Sequence, residues 1–482
     1  MSVDLRAFIQ LLEREGELAR VRPEVDPYLE MAEIADRASK AHGPALLFER
    51  PLRPAGAAGP AVPVLMNQFG SYRRLELALG APLDELAGRI AGLLELQVPS
   101  GLVGKVKALG QLKELASYGP RLVKKAAFRE VVVEPPDVGR LPVLTTWPGD
   151  GGPFVTLPIV VTKDRQGRQN AGMYRLQVYD GQTTGMHWHI HHDGAANFRE
   201  ADGRLEVAVA LGTDPAVTYA ATAPLPPGIS EFMFAGFLRG APVELAPCAT
   251  VDLAVPADAE IVLEGYVDKD ERRREGPFGD HTGYYSLADD YPVFRVTAMS
   301  HRRDPVYPAT IVGRPPMEDA YLGKATERLF LPLLQLVQPD IVDMDLPIEG
   351  VFHDCAIISV RKSYPGQARK IMNAVWGMGQ MMFTKFVVVV DEHVDVHDYS
   401  EVTWRVFNNV DPRRDCLVVD GPLDVLDHSS PLPRYGAKMG IDATKTWPEE
   451  GHDREWPEEL GMDPAVKARV DARWRELGLP FG

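Results

Sequence analysis

The sequence predicts an α+β multidomain protein in which a barrel-like β domain is set between two α/β domains. Three observations predict it. At 482 residues the chain is longer than one ordinary domain. Helix and strand patterns alternate toward both ends, whereas short strands separated by turn signals crowd the middle. Runs such as KFVVVVD (385–391) are apolar almost throughout, as a parallel sheet covered on both faces requires.

The first α/β domain and its linker are assigned to residues 1–125. Leu5, Phe8, Ile9 and Leu12 recur at helical spacing, and Gly16 is placed to stop that helix. A second helix follows over 29–41, then strands over 45–48 and 62–66 and helices over 71–79 and 83–94. Residues 97–125, with Gly101, Gly104 and Gly110 among lysines, read as a linker carrying some helix. The β-rich middle is assigned to 126–315, with strands over 131–133, 157–162, 172–179, 183–191, 205–211, 250–255, 260–266 and 293–299. Turn signals such as Asp180-Gly181 separate them, and a short helix interrupts them over 230–238. A long helix over 318–337 opens the second α/β domain, assigned to 316–435. Strands over 356–361, 386–390 and 417–419 and helices over 367–375 and 399–408 follow. The tail, 436–482, is rich in Glu, Trp and Pro and is expected to be a surface arm or a subunit contact.

Composition excludes several classes. Hydrophobic residues make up 45% and charged residues 25%, which suits a soluble globule with a real core. A net charge of −16 argues against nucleic-acid binding, which needs clustered Lys and Arg. Three scattered cysteines, Cys248, Cys355 and Cys416, make no disulfide framework or zinc knuckle. The acidic, amphipathic start lacks a signal peptide's apolar core, so a cytoplasmic protein is expected, with at most a peripheral membrane contact. No dinucleotide fingerprint, P-loop, HExxH or nucleophile elbow occurs.

Three clusters in the middle domain carry candidate chemistry. In NAGMYRLQ (170–177), strand alternation puts Asn170, Gly172 and Tyr174 on one face and Met173 and Arg175 on the other. Arg175 is then either solvent-facing or in need of a charge partner. MHWHIHHDG (186–194) holds four of the twelve histidines. A strand there places His187, His189 and His191 on one face, either as a plain polar face or as an anion or metal site with Glu231 and Asn170 as oxygen ligands. In REGPFGDHTGYY (274–285), Glu275 and Asp280 flank an apolar turn. Such a loop is either a polar turn or a device that aims two acids into one cavity, where burial and like charge separate their pKa values.

These segments, with ISEFMFAGFLRG (229–240), KFVVVVDE (385–392), KMGIDATKTW (438–447) and the start DLRAFIQLLEREGELARV, resemble the UbiD family of decarboxylases and occur in family order. The resemblance implies a flavin-binding split β-barrel in the middle domain, holding prenylated FMN with Mn2+ and often K+ at its phosphate. By position it implies Asn170 and Glu231 as metal ligands, with a histidine ligand near Met186 or His187. The segments Met173–Arg175 (with Tyr174) and His187–His189 (with Trp188), together with His192 and Lys385, are implied cofactor contacts. Arg175, Glu275 and Asp280 are the implied catalytic set.

In that set Arg175 partners Glu275 and orients a carboxylate. Asp280 or Glu275, raised in pKa by its apolar loop, protonates the carbon that loses CO2. The expected substrate is an aromatic or unsaturated acid of quinone biosynthesis, either a polyprenyl-hydroxybenzoate or a carboxylated naphthoquinone precursor. A smaller phenolic acid is the alternative. A flavin prenyltransferase would supply the cofactor, and a homo-oligomer, dimer or hexamer, is expected. Two competing readings are a metal-dependent hydrolase built on the HxH strand and a non-catalytic flavin-binding or assembly protein.

Overall fold

The computed structural model describes residues 4–53, 61–94, 115–189, 193–226 and 228–479. The first helix, Leu5–Arg14, starts where the Asp4 carboxylate accepts the Ala7 N–H, and it buries Leu5, Phe8, Ile9 and Leu12. It packs on a four-stranded sheet in the order Leu18–Val25, Ala45–Pro51, Val64–Met66, Tyr307–Pro308. The first strand was missing from the sequence reading: LARVRPEV holds a proline and three charged residues, and as an edge strand it buries only its last residue. The last strand comes from the far end of the middle region, so the sheet is closed by chain that lies more than two hundred residues downstream.

The central sheet has nine strands. Its order runs Phe154–Val155, Leu176–Asp180, Thr183–Gly185, Asp289–His301, Ile261–Glu275, Arg204–Leu211, Ile159–Lys163, Gln169–Met173, with Val131–Val133 paired to Asp289–His301. Gln169–Met173 closes one end of this order, and Leu176–Asp180 lies next to the other end. Only Tyr174 and Arg175 join them, so the sheet must curl until its ends nearly meet. The result is a half-barrel with a seam, and the seam passes through Tyr174 and Arg175. The single strand expected over 172–179 is therefore two strands in different parts of the sheet. The strand expected over 183–191 also stops early, at Gly185. The strand expected over 250–255 is reduced to Ala254–Pro256, which joins Glu244–Pro247 and Arg121–Leu122 in a small separate sheet.

The helix Glu318–Val337 leads into a five-stranded mixed sheet, ordered Ile341–Asp345, Cys355–Val360, Phe386–Asp391, Tyr435–Asp442, Cys416–Pro422. Here the sequence boundary needs correction. Tyr435–Asp442, placed in the tail, is an interior strand pairing parallel to Phe386–Asp391 and antiparallel to Cys416–Pro422. Its glycines hide it from periodicity, yet Gly440 is where the strand meets Met372, whose Sδ would lie 2.4 Å from any added Cβ. Among the described residues no helix is long and apolar enough to cross a membrane.

Candidate active site

The seam places Arg175 in an almost closed pocket, its side chain 10% exposed. Its Nε donates to Glu275 Oε1 at 2.9 Å, and Nη1 donates to Asp280 Oδ2 at 2.5 Å. Nη2 donates to Ser286 Oγ at 3.1 Å, and the guanidinium lies 4.4 Å from the centre of the Phe278 ring. The catalytic trio expected from the sequence is thus one hydrogen-bonded unit.

The two acids are aimed by a hairpin. Glu275 ends the long strand Ile261–Glu275, and Phe278–Gly279 pairs back on Tyr285–Ser286. Between them Gly276 sits at φ +88°, in the left-handed region that favours glycine. The root of the hairpin is pinned by Gln177, whose Oε1 accepts the Gly276 N–H at 2.7 Å. Asp150 pins the tip: Oδ1 accepts the Gly279 N–H at 2.8 Å while Oδ2 accepts the Thr146 and Trp147 N–H groups. The sequence reading missed both anchors, although Gln177 ends the NAGMYRLQ segment.

The electrostatics correct one expectation. Neither acid is raised in pKa. Burial pushes Glu275 up, but hydrogen bonds and charge from His187 and Arg175 outweigh it and hold the carboxyl below its ordinary range. Burial likewise opposes ionisation of Asp280, yet the His281 hydrogen bond and the Arg175 charge hold it far below. The proton sits next door. His281, opposed by burial but paired with Asp280 at 3.0 Å, is pushed up to about 9. His187 goes the other way, because burial and the Arg175 charge disfavour its cation. Arg175, Glu275, Asp280 and His281 therefore form a set of two cations and two anions.

The histidines are placed differently from the expected strand face. His187 Nδ1 lies 3.0 Å from Glu275 Oε2, and its Nε2 lies 2.7 Å from His189 Nε2. Both ring nitrogens of His187 are thus engaged with Glu275 and His189, and not with Asn170 or Glu231. This removes the geometric basis for His187 as a metal ligand and for a hydrolase built on an HxH strand. His192 lies outside the described residues. Lys385 binds Asp427 and donates to Ser429 Oγ at 2.7 Å, so its ammonium is held by the C-terminal region and not by the seam residues.

Asn170 and Glu231 do meet. Asn170 Nδ2 donates to Glu231 Oε1 at 2.8 Å, and Glu231 Oε2 accepts the Ala171 N–H at 3.1 Å. Asp193 Oδ2 is 3.5 Å from the same Asn170 nitrogen. Asn170 Oδ1 is buried without a hydrogen-bond partner among the described residues, and burial pushes Glu231 up to about 7. A buried carbonyl oxygen with no donor beside a carboxylate that ionises reluctantly fits a bound cation, and an all-oxygen set suits a hard ion. Beside it, Tyr174 and Trp188 meet edge to face at 6.5 Å, and among the described residues the buried Trp188 indole N–H has no acceptor.

A second charged cluster escaped the sequence reading. Glu327, Asp345 and His397 bring ligand atoms within 4.8 Å of one another. Lys324 already occupies this cluster, pairing with Asp345 and, at 2.5 Å, with Glu327, so its charge is balanced from within.

Comparison with known proteins places the whole chain in one family. Family models described as the N-terminal, Rift-related and C-terminal domains of 3-octaprenyl-4-hydroxybenzoate carboxy-lyase match residues 9–94, 121–315 and 320–443. An uncharacterized protein of Archaeoglobus fulgidus is 55% identical over 481 residues, 98% of each chain. Among solved structures, the vanillic acid decarboxylase of Sedimentibacter hydroxybenzoicus in closed form is 28% identical over 99% of both chains, with a TM-score of 0.84. The UbiD-class enzyme HmfF of Pelotomaculum thermopropionicum, in complex with FMN, is 32% identical over 96% of this chain and 98% of its own, with a TM-score of 0.80. An evolved dimeric form of HmfF in complex with prFMN is 31% identical over 97% and 98%, with a TM-score of 0.77. The fold and site define a carboxy-lyase. The chain belongs to the UbiD family.

Proposed function

We propose that this chain is a prenylated-FMN-dependent decarboxylase of an aromatic or α,β-unsaturated carboxylic acid. The observation that carries the proposal is the buried Arg175 held between Glu275 and Asp280 at the seam of the half-barrel. The setting we favour is quinone biosynthesis, with a polyprenyl-hydroxybenzoate or a carboxylated naphthoquinone precursor as substrate. The likeness to vanillic acid decarboxylase over 99% of both chains favours a second reading, a small phenolic acid.

Asn170 Oδ1 and Glu231 would hold Mn2+, and the Met173–Arg175 and His187–His189 segments would line the flavin. When bound, the prenylated flavin supplies an electron sink for the carbon that loses CO2. The chain's own residues do the rest. Arg175 pairs with the substrate carboxylate through its planar fork of donors. That pairing draws the guanidinium away from Asp280 and brings a second negative charge nearby, and both changes raise the Asp280 pKa. A proton then moves from His281 to Asp280, and from Asp280 to the carbon. The reaction balances as carboxylate plus one proton giving the shortened product and CO2.

The test is CO2 release by protein produced with a flavin prenyltransferase and Mn2+, over a panel of hydroxybenzoates, cinnamates and naphthoates. Release from one class supports the proposal and names the substrate type. A protein that binds no modified flavin, or that leaves every acid intact, overturns it.

A further inference from the structure

His281 is shared between two parts of the fold. Its Nδ1 lies 3.0 Å from Asp280 Oδ1, and its Nε2 lies 2.8 Å from Nε2 of His353. His353 follows a short 3-10 turn, Ile348–Gly350, in the C-terminal region, 72 residues along the chain. Two imidazole nitrogens at this separation share one proton, because two lone pairs or two N–H groups would repel.

A second observation shows that the contact is imposed by the fold. Val351 and Phe352 have φ of 45° and 53°, the left-handed region in which the Cβ of an L-residue crowds the backbone. Phe352 is wedged against the helix Glu318–Val337 at Gly323, where any Cβ would lie 2.6 Å from the Phe352 Cβ. Its ring also stacks on His281 at 5.2 Å and 26°. The loop that presents His353 is thus held in a disfavoured backbone conformation by its packing against the helix and against His281. The charged groups facing His281 are Asp280 on its own loop, Asp319 on the helix and Asp424 in the C-terminal region, while Asp354 lies 3.3 Å from His353 Nδ1.

We propose that the His281–His353 pair is the proton reservoir that recharges Asp280 in each turnover, with both histidines acting as positioning residues through Asp280. This rests on the decarboxylase reading above. The balance is simple. The His281 Nδ1–H bond breaks as an O–H bond forms on Asp280, and the pair falls from one positive charge to none. The Asp280 proton becomes the new C–H of the product. One proton from water, followed by exchange of the imidazole tautomers, returns the pair to its charged state. His353 keeps the shared proton between the two Nε2 atoms, so that Nδ1 of His281 faces Asp280 as a donor.

The test uses His281→Asn, which keeps a neutral donor toward Asp280 but carries no transferable charge, and His353→Gln, which keeps a hydrogen bond at the Nε2 position. In the holoenzyme, His281→Asn is expected to lower kcat by about 100-fold with KM unchanged, and His353→Gln to lower it by about 10-fold. The alkaline limb of the kcat profile should move to lower pH in His353→Gln. Unchanged kcat and pH limb in both variants, with an active wild type, would overturn the reservoir and leave the decarboxylase reading standing. A second readout needs no cofactor: 15N resonances of the imidazoles in the cofactor-free protein. His281 is expected to be cationic at about pH 7, with an alkaline midpoint that shifts in His353→Gln. A neutral His281 there, or a midpoint indifferent to residue 353, overturns the pairing. A wild type that releases no CO2 from any acid sinks the functional reading instead, and the resonances then decide the pair by themselves.

Discussion

Glu275 and His187 meet at 3.0 Å in a pocket where the carboxylate has no solvent exposure and the imidazole is nearly as enclosed. With Arg175 on its other oxygen, Glu275 is an anion fixed from two sides. Glu275→Gln keeps the shape and removes the charge. Arg175 retains Asp280 and Ser286, so the fold should survive, with a loss of about 3 kcal/mol for a broken buried pair. Decarboxylation is expected to fall by at least about 100-fold while flavin remains bound. Full activity in this variant would take Glu275 out of the mechanism.

How much of this the sequence disclosed depends on periodicity. The helices Leu5–Arg14 and Glu318–Val337 were legible because apolar residues recur at helical spacing. The β-rich middle was legible as a class, and six motifs in order singled out Arg175, Glu275 and Asp280, which the fold brings into one hydrogen-bonded group. What escaped lies where backbone is irregular or contacts are distant. The break at Tyr174–Arg175 has no pattern to betray it, since a curled sheet keeps alternation on both sides of the seam. His187 and His189 lie side by side as expected, but their backbone has left the strand and His187 turns to Glu275, not to Asn170 or Glu231. The lowered pKa of Asp280 depends on a histidine whose second partner is in another part of the fold, and burial of the apolar turn alone predicts the opposite sign.

Asn170 and Glu231 separate a ligand role from a structural one. Among the described residues Asn170 Oδ1 accepts no hydrogen bond, so a shorter side chain costs the apo fold little beyond the bond to Glu231. Asn170→Ala is expected to shift Tm only slightly, by the equivalent of about 1 kcal/mol, while Mn2+ and flavin retention fall sharply. Absorbance of the bound flavin after desalting, together with metal analysis, reads this directly. An unchanged flavin spectrum and metal content would count against a ligand role.

The Asp280–His281 pair makes a signed prediction for stability against pH. The folded His281 pKa, about 9, lies above the ordinary value of 6.5. A raised group stabilises fully below its unfolded pKa and loses that contribution as pH rises through its folded pKa. Denaturant midpoints of wild type and His281→Asn should therefore differ most below about pH 6.5 and converge as pH rises from there through about 9. The difference between the two proteins is the informative quantity, because Glu231 also titrates, losing its contribution at lower pH, between its ordinary 4.5 and about 7. A gap that stays constant across the alkaline range would show that His281 is neutral in the folded protein.

Gly279 tests whether the hairpin must be seated before the acids can work. A Cβ built on it would lie 2.1 Å from Trp147 Cδ1, and the indole cannot retreat freely because its Nε1 donates to the Val312 carbonyl at 2.9 Å. In Gly279→Ala the turn must lift away from Trp147, stretching the Asp150 hydrogen bond to the residue 279 N–H and carrying Asp280 with it. Overpacking of this kind costs about 1–3 kcal/mol. The larger effect should be on turnover, because Asp280 depends on the hairpin for its contact with Arg175, and a displacement near one ångström costs about 100-fold. The expected outcome is a folded protein with flavin bound and kcat strongly reduced. If Gly279→Ala turned over like wild type, the close approach to Trp147 would not be what positions Asp280.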